Sequence, residues 1–252
     1  MAQIGYGYGS EYQLLRFLGH HRQQFENIIS EVIGQGKFVW EDFEYANPKQ
    51  VISGDKELMG LGFIEKLFPE QYPSIRKAYE EYKINRRDSW QSWDAIFTHN
   101  GMLYLVEAKA HVDELSSGKE EHGDSSKEEI IRYFKEQLPD LPVSRVWLRE
   151  YYQLANRLAT ASFLNNHGVK TKVIYIYFIN GYRKRVVEKV NGREEKLFET
   201  VNKNTSKEQF ETAIEKEMNT LGIDHASVSS LLASPVFVNA EPIFATCSRH
   251  RC

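Results

Sequence analysis

Two apolar runs joined by a short polar turn constrain the fold of this chain more than any other feature. The runs cover residues 93–97 and 102–110, and the turn between them contains Asn100-Gly101. Asn-Gly favours the left-handed backbone of a tight hairpin turn, so the pattern predicts an antiparallel β-hairpin. We therefore expect a β-sheet that contains this hairpin.

Three charged residues interrupt the apolar hairpin. Asp94 lies near the start of the first run, and Glu107 and Lys109 lie near the end of the second. Strand side chains alternate with a period of two, so Glu107 and Lys109 point to one face, and the hairpin can bring Asp94 beside them. Burial of unpaired charges is expensive, so such charges usually meet each other, a metal ion or a ligand. The cluster predicts a functional site; the alternative is a buried Glu–Lys pair that only fixes strand register.

The Glu-x-Lys spacing by itself has little diagnostic value. The chain contains it three times, at residues 81–83, 107–109 and 194–196. The first copy lies in a helix-like polar stretch and the last in a charged, turn-like one. Only the middle copy is flanked by strand-like apolar residues and follows an aspartate on another strand. We therefore predict the functional site at this copy.

The length of the chain suits one large domain or two small ones. The 252 residues are 41% hydrophobic and 27% charged, which is ordinary for a globular protein with a real core. No apolar run approaches the roughly 20 residues that span a membrane, and the first residues do not resemble a secretory signal. The two cysteines, Cys247 and Cys252, lie in the tail and argue against a disulfide framework. We expect a cytoplasmic protein with no membrane partner.

Apolar periodicity places helices on both sides of the hairpin. Predicted helices cover residues 10–33, 61–68, 74–86, 127–138, 148–166 and 206–221, and predicted strands cover 38–43, 172–179 and 235–244, with a polar hairpin at 186–198. The run 172–179 is apolar on both faces, as a central strand should be, so the hairpin, a helical crossover and this strand predict a βαβ unit. Residues 113–126 predict an exposed loop that leaves the Glu-x-Lys strand.

We expect one α/β domain over residues 1–252. Its three parts are a mostly helical segment at 1–88, a motif-bearing core at 89–180 and C-terminal additions at 181–252.

This pattern resembles the PD-(D/E)xK, or restriction endonuclease-like, nuclease superfamily. The matching residues are Asp94 on one strand and Glu107-Ala108-Lys109 on the next, with Trp93 in the place of the motif's proline. The order of helix, strand meander, helix and strand extends the likeness to about residue 180. The resemblance implies a restriction endonuclease-like core, in which helices flank a mixed central sheet, with helical additions.

The resemblance implies metal-dependent hydrolysis of phosphodiester bonds. Asp94 and Glu107 would hold Mg²⁺ or Mn²⁺, because hard cations prefer carboxylate oxygens, and the carbonyl of Ala108 would be a further ligand. Lys109 would orient the attacking water or neutralise the developing charge.

Two further residues are candidates through the same resemblance. Glu11, on the first helix, would approach the metal; alternatively its charge only favours the first turn of that helix. Gln153 resembles a helix glutamine of some nuclease branches and would bind substrate, the alternative being an ordinary surface residue.

The net charge of −3 leaves a second hypothesis open. Dedicated nucleic-acid binders are often strongly basic, and this chain offers only local basic clusters at 83–87 and 182–185. The first hypothesis is a nuclease that acts on nucleic acid, DNA ahead of RNA, with a homodimer left open. The second is a non-catalytic binding or interaction protein that retains the fold.

Overall fold

A computed structural model of the protein describes residues 9–41, 58–60, 62–81, 92–116, 124–180, 183–185, 188–190, 193–195, 199–201 and 205–240. The helices in these ranges are α1 (Gly9–His20), α2 (Arg22–Ile33), α3 (Gly62–Leu67), α4 (Tyr72–Glu81), α5 (Asp124–Gln137), α6 (Tyr152–Asn166), α7 (Lys207–Leu221) and α8 (His225–Val228). The strands are β1 (Phe38–Trp40), β2 (Leu58–Met59), β3 (Ser92–Trp93), β4 (Ala95–His99), β5 (Met102–Lys109), β6 (Thr171–Ile179), β7 (Arg183–Arg185), β8 (Glu188–Val190), β9 (Arg193–Glu195), β10 (Glu199–Val201) and β11 (Val236–Asn239).

Five strands form one mixed sheet in the order β1-β4-β5-β6-β11. The pairs β1–β4 and β4–β5 are antiparallel, whereas β5–β6 and β6–β11 are parallel. Strands β1 and β11 come from outside residues 89–180 and extend the predicted core on both edges. The expected α/β class, with helices flanking a mixed central sheet, is confirmed.

The hairpin predicted from Asn100-Gly101 is also confirmed. Strands β4 and β5 pair from Ala95↔Val106 to His99↔Met102. Asn100 and Gly101 have φ angles of 50° and 77°, the left-handed backbone that a two-residue hairpin turn requires.

The predicted βαβ unit connects β5 to β6 through α5 and α6. The two strands lie side by side and parallel, from Leu103↔Thr171 to Lys109↔Tyr177. Helix α6 buries Leu154, Leu158 and Ala161 in the cluster that covers this face of the sheet.

Helices cover both faces of the central sheet. On one face, Phe17 of α1 and Phe25 of α2 pack against Phe178 of β6. On the other face, residues of α5, α6 and α7 join a cluster that contains Leu105 of β5 and Tyr175 of β6. Glu107 and Lys109 continue the Leu105 side of β5, so they face α6, whereas Ala108 belongs to the α1–α2 side.

The single helix predicted over residues 10–33 is wrong: the chain forms α1 and α2, with a break at His21. His21 has φ −131° and ψ 28°, and Gly19-His20-His21 is a run of poor helix formers. The break lets α1 contact β5 while α2 contacts β11, so both helices cover the same sheet face.

Several other boundaries differ from the prediction. The helix predicted from residue 74 begins at Tyr72, so Pro73 lies in the first turn of α4, a position that proline tolerates. The loop predicted through residue 126 ends earlier, because α5 begins at Asp124. Strand β11 covers Val236–Asn239 of the predicted 235–244, and residues 241–244 lie outside the described part.

The predicted polar hairpin corresponds to the antiparallel pair β8–β9. None of the helices in the described ranges has the length and apolarity to span a bilayer.

Candidate functional site

A pocket of about 300 Å³ lies where β5 ends, between the central sheet, α1 and α6. Its walls are formed by Gly9, Ser10, Glu11, Asp94, Glu107, Ala108, Lys109, Glu114 and Gln153. All the site residues selected from the sequence therefore line one cavity, although they come from four separate stretches of the chain.

Asp94 lies in the bend between β3 and β4 and is tied to the neighbouring strand. Its Oδ2 accepts a hydrogen bond from the Ala108 N–H at 2.6 Å, and its own N–H donates to the Val106 carbonyl at 3.2 Å. Asp94 is thus fixed beside the middle residue of the Glu-x-Lys segment.

Glu107 lies at the centre of the charge cluster, with 4% of its surface exposed. Its Oε1 accepts hydrogen bonds from Lys109 Nζ at 2.9 Å and Gln153 Nε2 at 2.6 Å. Its Oε2 accepts one from Arg157 Nε at 2.9 Å. Both carboxylate oxygens are therefore engaged by donors, two of which carry a full positive charge.

Lys109 and Gln153 form a closed arrangement with Glu107. Lys109 Nζ donates to Glu107 Oε1 and to Gln153 Oε1, both at 2.9 Å. Gln153 is therefore part of the cluster rather than an ordinary surface residue of α6. An ammonium has three donors, so Lys109 keeps one N–H for a ligand in the pocket.

Arg157 belongs to the same cluster and was missed in the sequence. Its Nε donates to Glu107 Oε2, its Nη2 donates to the Ser92 carbonyl at 2.9 Å, and its guanidinium lies 4.4 Å from the centre of the Trp93 ring. A signal was present: Arg157 falls between Leu154 and Ala161, three and four residues away, on an otherwise apolar helix stripe.

The pKa shifts separate the two carboxylates. Burial, followed by the charge of Glu107, raises the pKa of Asp94 to about 8. Burial also acts to raise the pKa of Glu107, but Lys109 and Arg157 outweigh it and hold that pKa below its usual value. Glu107 is thus the ionised carboxylate of the pair, and Asp94 is the one that carries a proton at neutral pH.

Lys109 remains an ammonium. Burial lowers its pKa, but the adjacent Glu107 carboxylate raises it above the ordinary value through charge and a hydrogen bond. Lys109 can therefore supply positive charge and a donor, whereas it is not poised to remove a proton.

Two more acidic residues border the pocket. Glu11 lies half-buried in the first turn of α1, as predicted. Glu114, which the sequence did not single out, follows β5 in a short 3₁₀ turn, and its Oε2 accepts a hydrogen bond from the Ala110 N–H at 3.1 Å. It lies in the polar stretch after the motif, where apolar periodicity carries no signal.

The donor set of the pocket suits a divalent cation that takes few protein ligands. In the described ranges, no group of three or more His, Cys, Asp and Glu side chains is arranged to hold a metal ion. Asp94, Glu107 and the Ala108 carbonyl would supply two carboxylates and a carbonyl. Mg²⁺ commonly takes one or two carboxylates and fills its other positions with water and phosphate oxygens, so this set suits it. The pKa of Asp94 is raised, so a nearby cation would stabilise the ionised form of this carboxyl group.

The two basic clusters are described only in part. Residues 83–87 lie outside the described part of the chain, and Arg183–Arg185 form β7, which pairs with β10.

Comparison of the chain with models of known protein families, with curated proteins and with solved structures finds no match. The resemblance to the nuclease superfamily therefore stays a prediction from the motif residues of the sequence.

Proposed function

We propose that this pocket hydrolyses phosphodiester bonds of nucleic acid with the help of Mg²⁺ or Mn²⁺. The observation that carries the proposal is the convergence of Asp94, Glu107, Ala108 and Lys109 on one cavity at the end of two adjacent strands. The order of β4, β5, crossover helices and parallel β6 supports a restriction endonuclease-like core. The substrate would be DNA ahead of RNA, and a homodimer and a cytoplasmic location remain predictions.

Asp94, Glu107 and the Ala108 carbonyl would hold the cation, with Glu11 of α1 as a further candidate in the pocket lining. When bound, such a cation polarises the phosphoryl oxygen and acidifies an attacking water.

Lys109 would act through its charge. Its remaining N–H is available to a phosphoryl oxygen or to the attacking water, and the ammonium stabilises negative charge that develops in the transition state. Gln153 would hold Lys109 in this orientation through its Oε1, while its second Nε2 hydrogen stays available to bind substrate.

Cleavage of labelled single- and double-stranded DNA and RNA, with Mg²⁺, Mn²⁺ or EDTA, tests the proposal. The variants are Asp94→Asn and Lys109→Met, and the control is Glu136→Gln, which alters an exposed glutamate on α5. We expect cation-dependent cleavage by the wild type and the control, reduced by roughly 100-fold in either site variant. Cleavage that survives both site changes would remove this pocket from the reaction.

A second candidate function is a non-catalytic binding protein. The observation that favours it is that Lys109, Gln153 and Arg157 already occupy both oxygens of the Glu107 carboxylate. This candidate predicts no cleavage and no rise in melting temperature with Mg²⁺ or Mn²⁺. Thermal unfolding with each cation, in the wild type and Asp94→Asn, separates the two, because a ligand of the folded state stabilises it by mass action.

A further inference from the structure

We propose that Arg157 is a positioning residue that fixes Asp94 and Glu107 relative to each other; this role rests on the proposed function. Arg157 does not line the pocket and is only 8% exposed, so it acts through the residues that do. It is contributed by α6, outside both motif strands.

One side of the Arg157 guanidinium holds the Glu107 carboxylate. Nε donates to Oε2 at 2.9 Å, while Oε1 is taken by Lys109 and Gln153. Because the two oxygens are held by different partners, the carboxylate plane is fixed from both sides.

The other side of the guanidinium holds the segment that leads into Asp94. Nη2 donates to the Ser92 carbonyl at 2.9 Å, and the guanidinium packs over the Trp93 ring at 4.4 Å. These are the two residues directly before Asp94. A guanidinium is planar and presents its donors in a fixed fork, so it sets the spacing between the groups that it joins.

If Arg157 only balanced the charge of Glu107, it would not need its contacts with Ser92 and Trp93. Lys109 already provides Glu107 with a buried ion pair. The contacts of Arg157 to Ser92 and Trp93 instead connect Glu107 to the chain on which Asp94 stands. Lys109 places a positive charge in the pocket, whereas Arg157 fixes the position of Glu107 relative to the segment before Asp94.

The bond between the Ala108 N–H and Asp94 Oδ2 offers a readout that needs neither metal nor substrate. If Arg157 holds the segment before Asp94, its loss loosens this bond and exposes the Ala108 amide to exchange. The Ala233 amide, which donates to the Val173 carbonyl at 2.9 Å elsewhere in the structure, reports general loss of stability.

The first experiment measures amide hydrogen exchange by NMR in the metal-free protein. Arg157→Met is compared with Arg132→Met, the same change at an exposed ion pair of α5. We expect Ala108 to exchange about tenfold faster in Arg157→Met, with Ala233 nearly unchanged and no effect in the control. Equal acceleration of both amides, or of neither, overturns the positioning role.

The second experiment uses Mn²⁺ titration and cleavage kinetics on wild type, Arg157→Met and Arg157→Lys. We expect Arg157→Met to lose about 10- to 100-fold in Mn²⁺ affinity and to keep a low kcat at saturating Mn²⁺, with KM for the oligonucleotide little changed. Arg157→Lys keeps the charge but not the fork, so we expect restored folding stability and incomplete recovery of kcat.

The outcomes separate this role from the proposed function. A wild type that neither binds Mn²⁺ nor cleaves overturns the proposed function and this role with it. A wild type that binds and cleaves, together with an Arg157→Met protein of equal kcat or tighter Mn²⁺ binding, overturns the role of Arg157 alone.

Discussion

The Asp94 carboxylate accepts the backbone N–H of Ala108 at 2.6 Å. The antiparallel pairing of β4 and β5 ends at Ala95↔Val106, so a side chain, not the backbone of β4, takes this amide of β5. The contact joins the aspartate of one strand to the middle residue of the Glu-x-Lys segment on the next. It also places a carboxyl group with a raised pKa in the wall of the pocket.

Cation binding should release a proton from Asp94. Its pKa of about 8 means that the carboxyl is protonated at pH 6.5, whereas a metal ligand must be ionised. We expect Mn²⁺ affinity to rise with pH up to about 8 and then level off. Calorimetry in two buffers with different ionisation enthalpies measures the proton directly. Asp94→Asn should release none; an unchanged release in that variant would assign the proton to another group.

Glu107 should matter far more for stability than Asp94. Glu107→Gln leaves Lys109 and Arg157 buried without their shared carboxylate, which should cost roughly 3–5 kcal/mol of unfolding free energy. Asp94→Asn should cost little at pH 7, because that carboxyl is already neutral. Urea unfolding of the two variants measures the difference, and equal losses would contradict the charge assignment. Asp94→Asn is for this reason the better variant for tests of function.

The sequence predicted the hairpin and the buried strand because each depends on local pattern. The Asn100-Gly101 turn and the two-residue period of β5 place Glu107 and Lys109 together without reference to the rest of the fold. The crossover between β5 and β6 followed from the same kind of signal, an apolar stripe on α6 beside a strand that is apolar on both faces.

The missed features depend on tertiary packing. The run of poor helix formers at His21 is a weak local signal, because helical periodicity continues across it, and only the packing of α1 and α2 on one sheet face shows two helices. In the sequence, Arg157 is an unexplained charge in an apolar stripe. Its role is visible only in the fold, where α6 brings it against Glu107 and Trp93. Glu114 lies in a stretch without periodicity, and only the course of the chain after β5 brings it to the pocket.

The hairpin that carries the site should be sensitive to Gly36. A Cβ on Gly36 would come within 2.4 Å of the Asn100 amide and 2.6 Å of the buried His99 ring. Gly36→Ala should therefore destabilise the protein by roughly 1–3 kcal/mol through overpacking. Gly19→Ala is the matched control, because a Cβ there meets nothing within 4 Å, and in a helix it should stabilise by up to about 1 kcal/mol. Denaturant unfolding measures both, and similar effects from the two changes would argue against close packing at the turn.

Glu217 should make the protein less stable as pH rises. This glutamate of α7 is 3% exposed, and burial raises its pKa to about 8; the charge of Glu150 adds to the shift, and that of Lys109 opposes it. Its ordinary value is 4.5, so between about pH 5 and pH 8 the folded state binds a proton that the unfolded state has lost. Stability from this group is complete below pH 4.5 and falls as pH rises toward 8, by at most about 1.4 kcal/mol per pH unit.

Glu217→Gln removes this dependence while it keeps the shape of the side chain. We expect the unfolding free energy of the wild type to fall relative to Glu217→Gln at each step from pH 5 to pH 8, and the two to run parallel above it. Glu211→Gln, an exposed change on the same helix, should follow the wild type throughout. Urea unfolding across this range gives the three curves. Parallel curves for wild type and Glu217→Gln would mean that the pKa of Glu217 is the same in the folded and unfolded protein, which would contradict its neutral burial in α7.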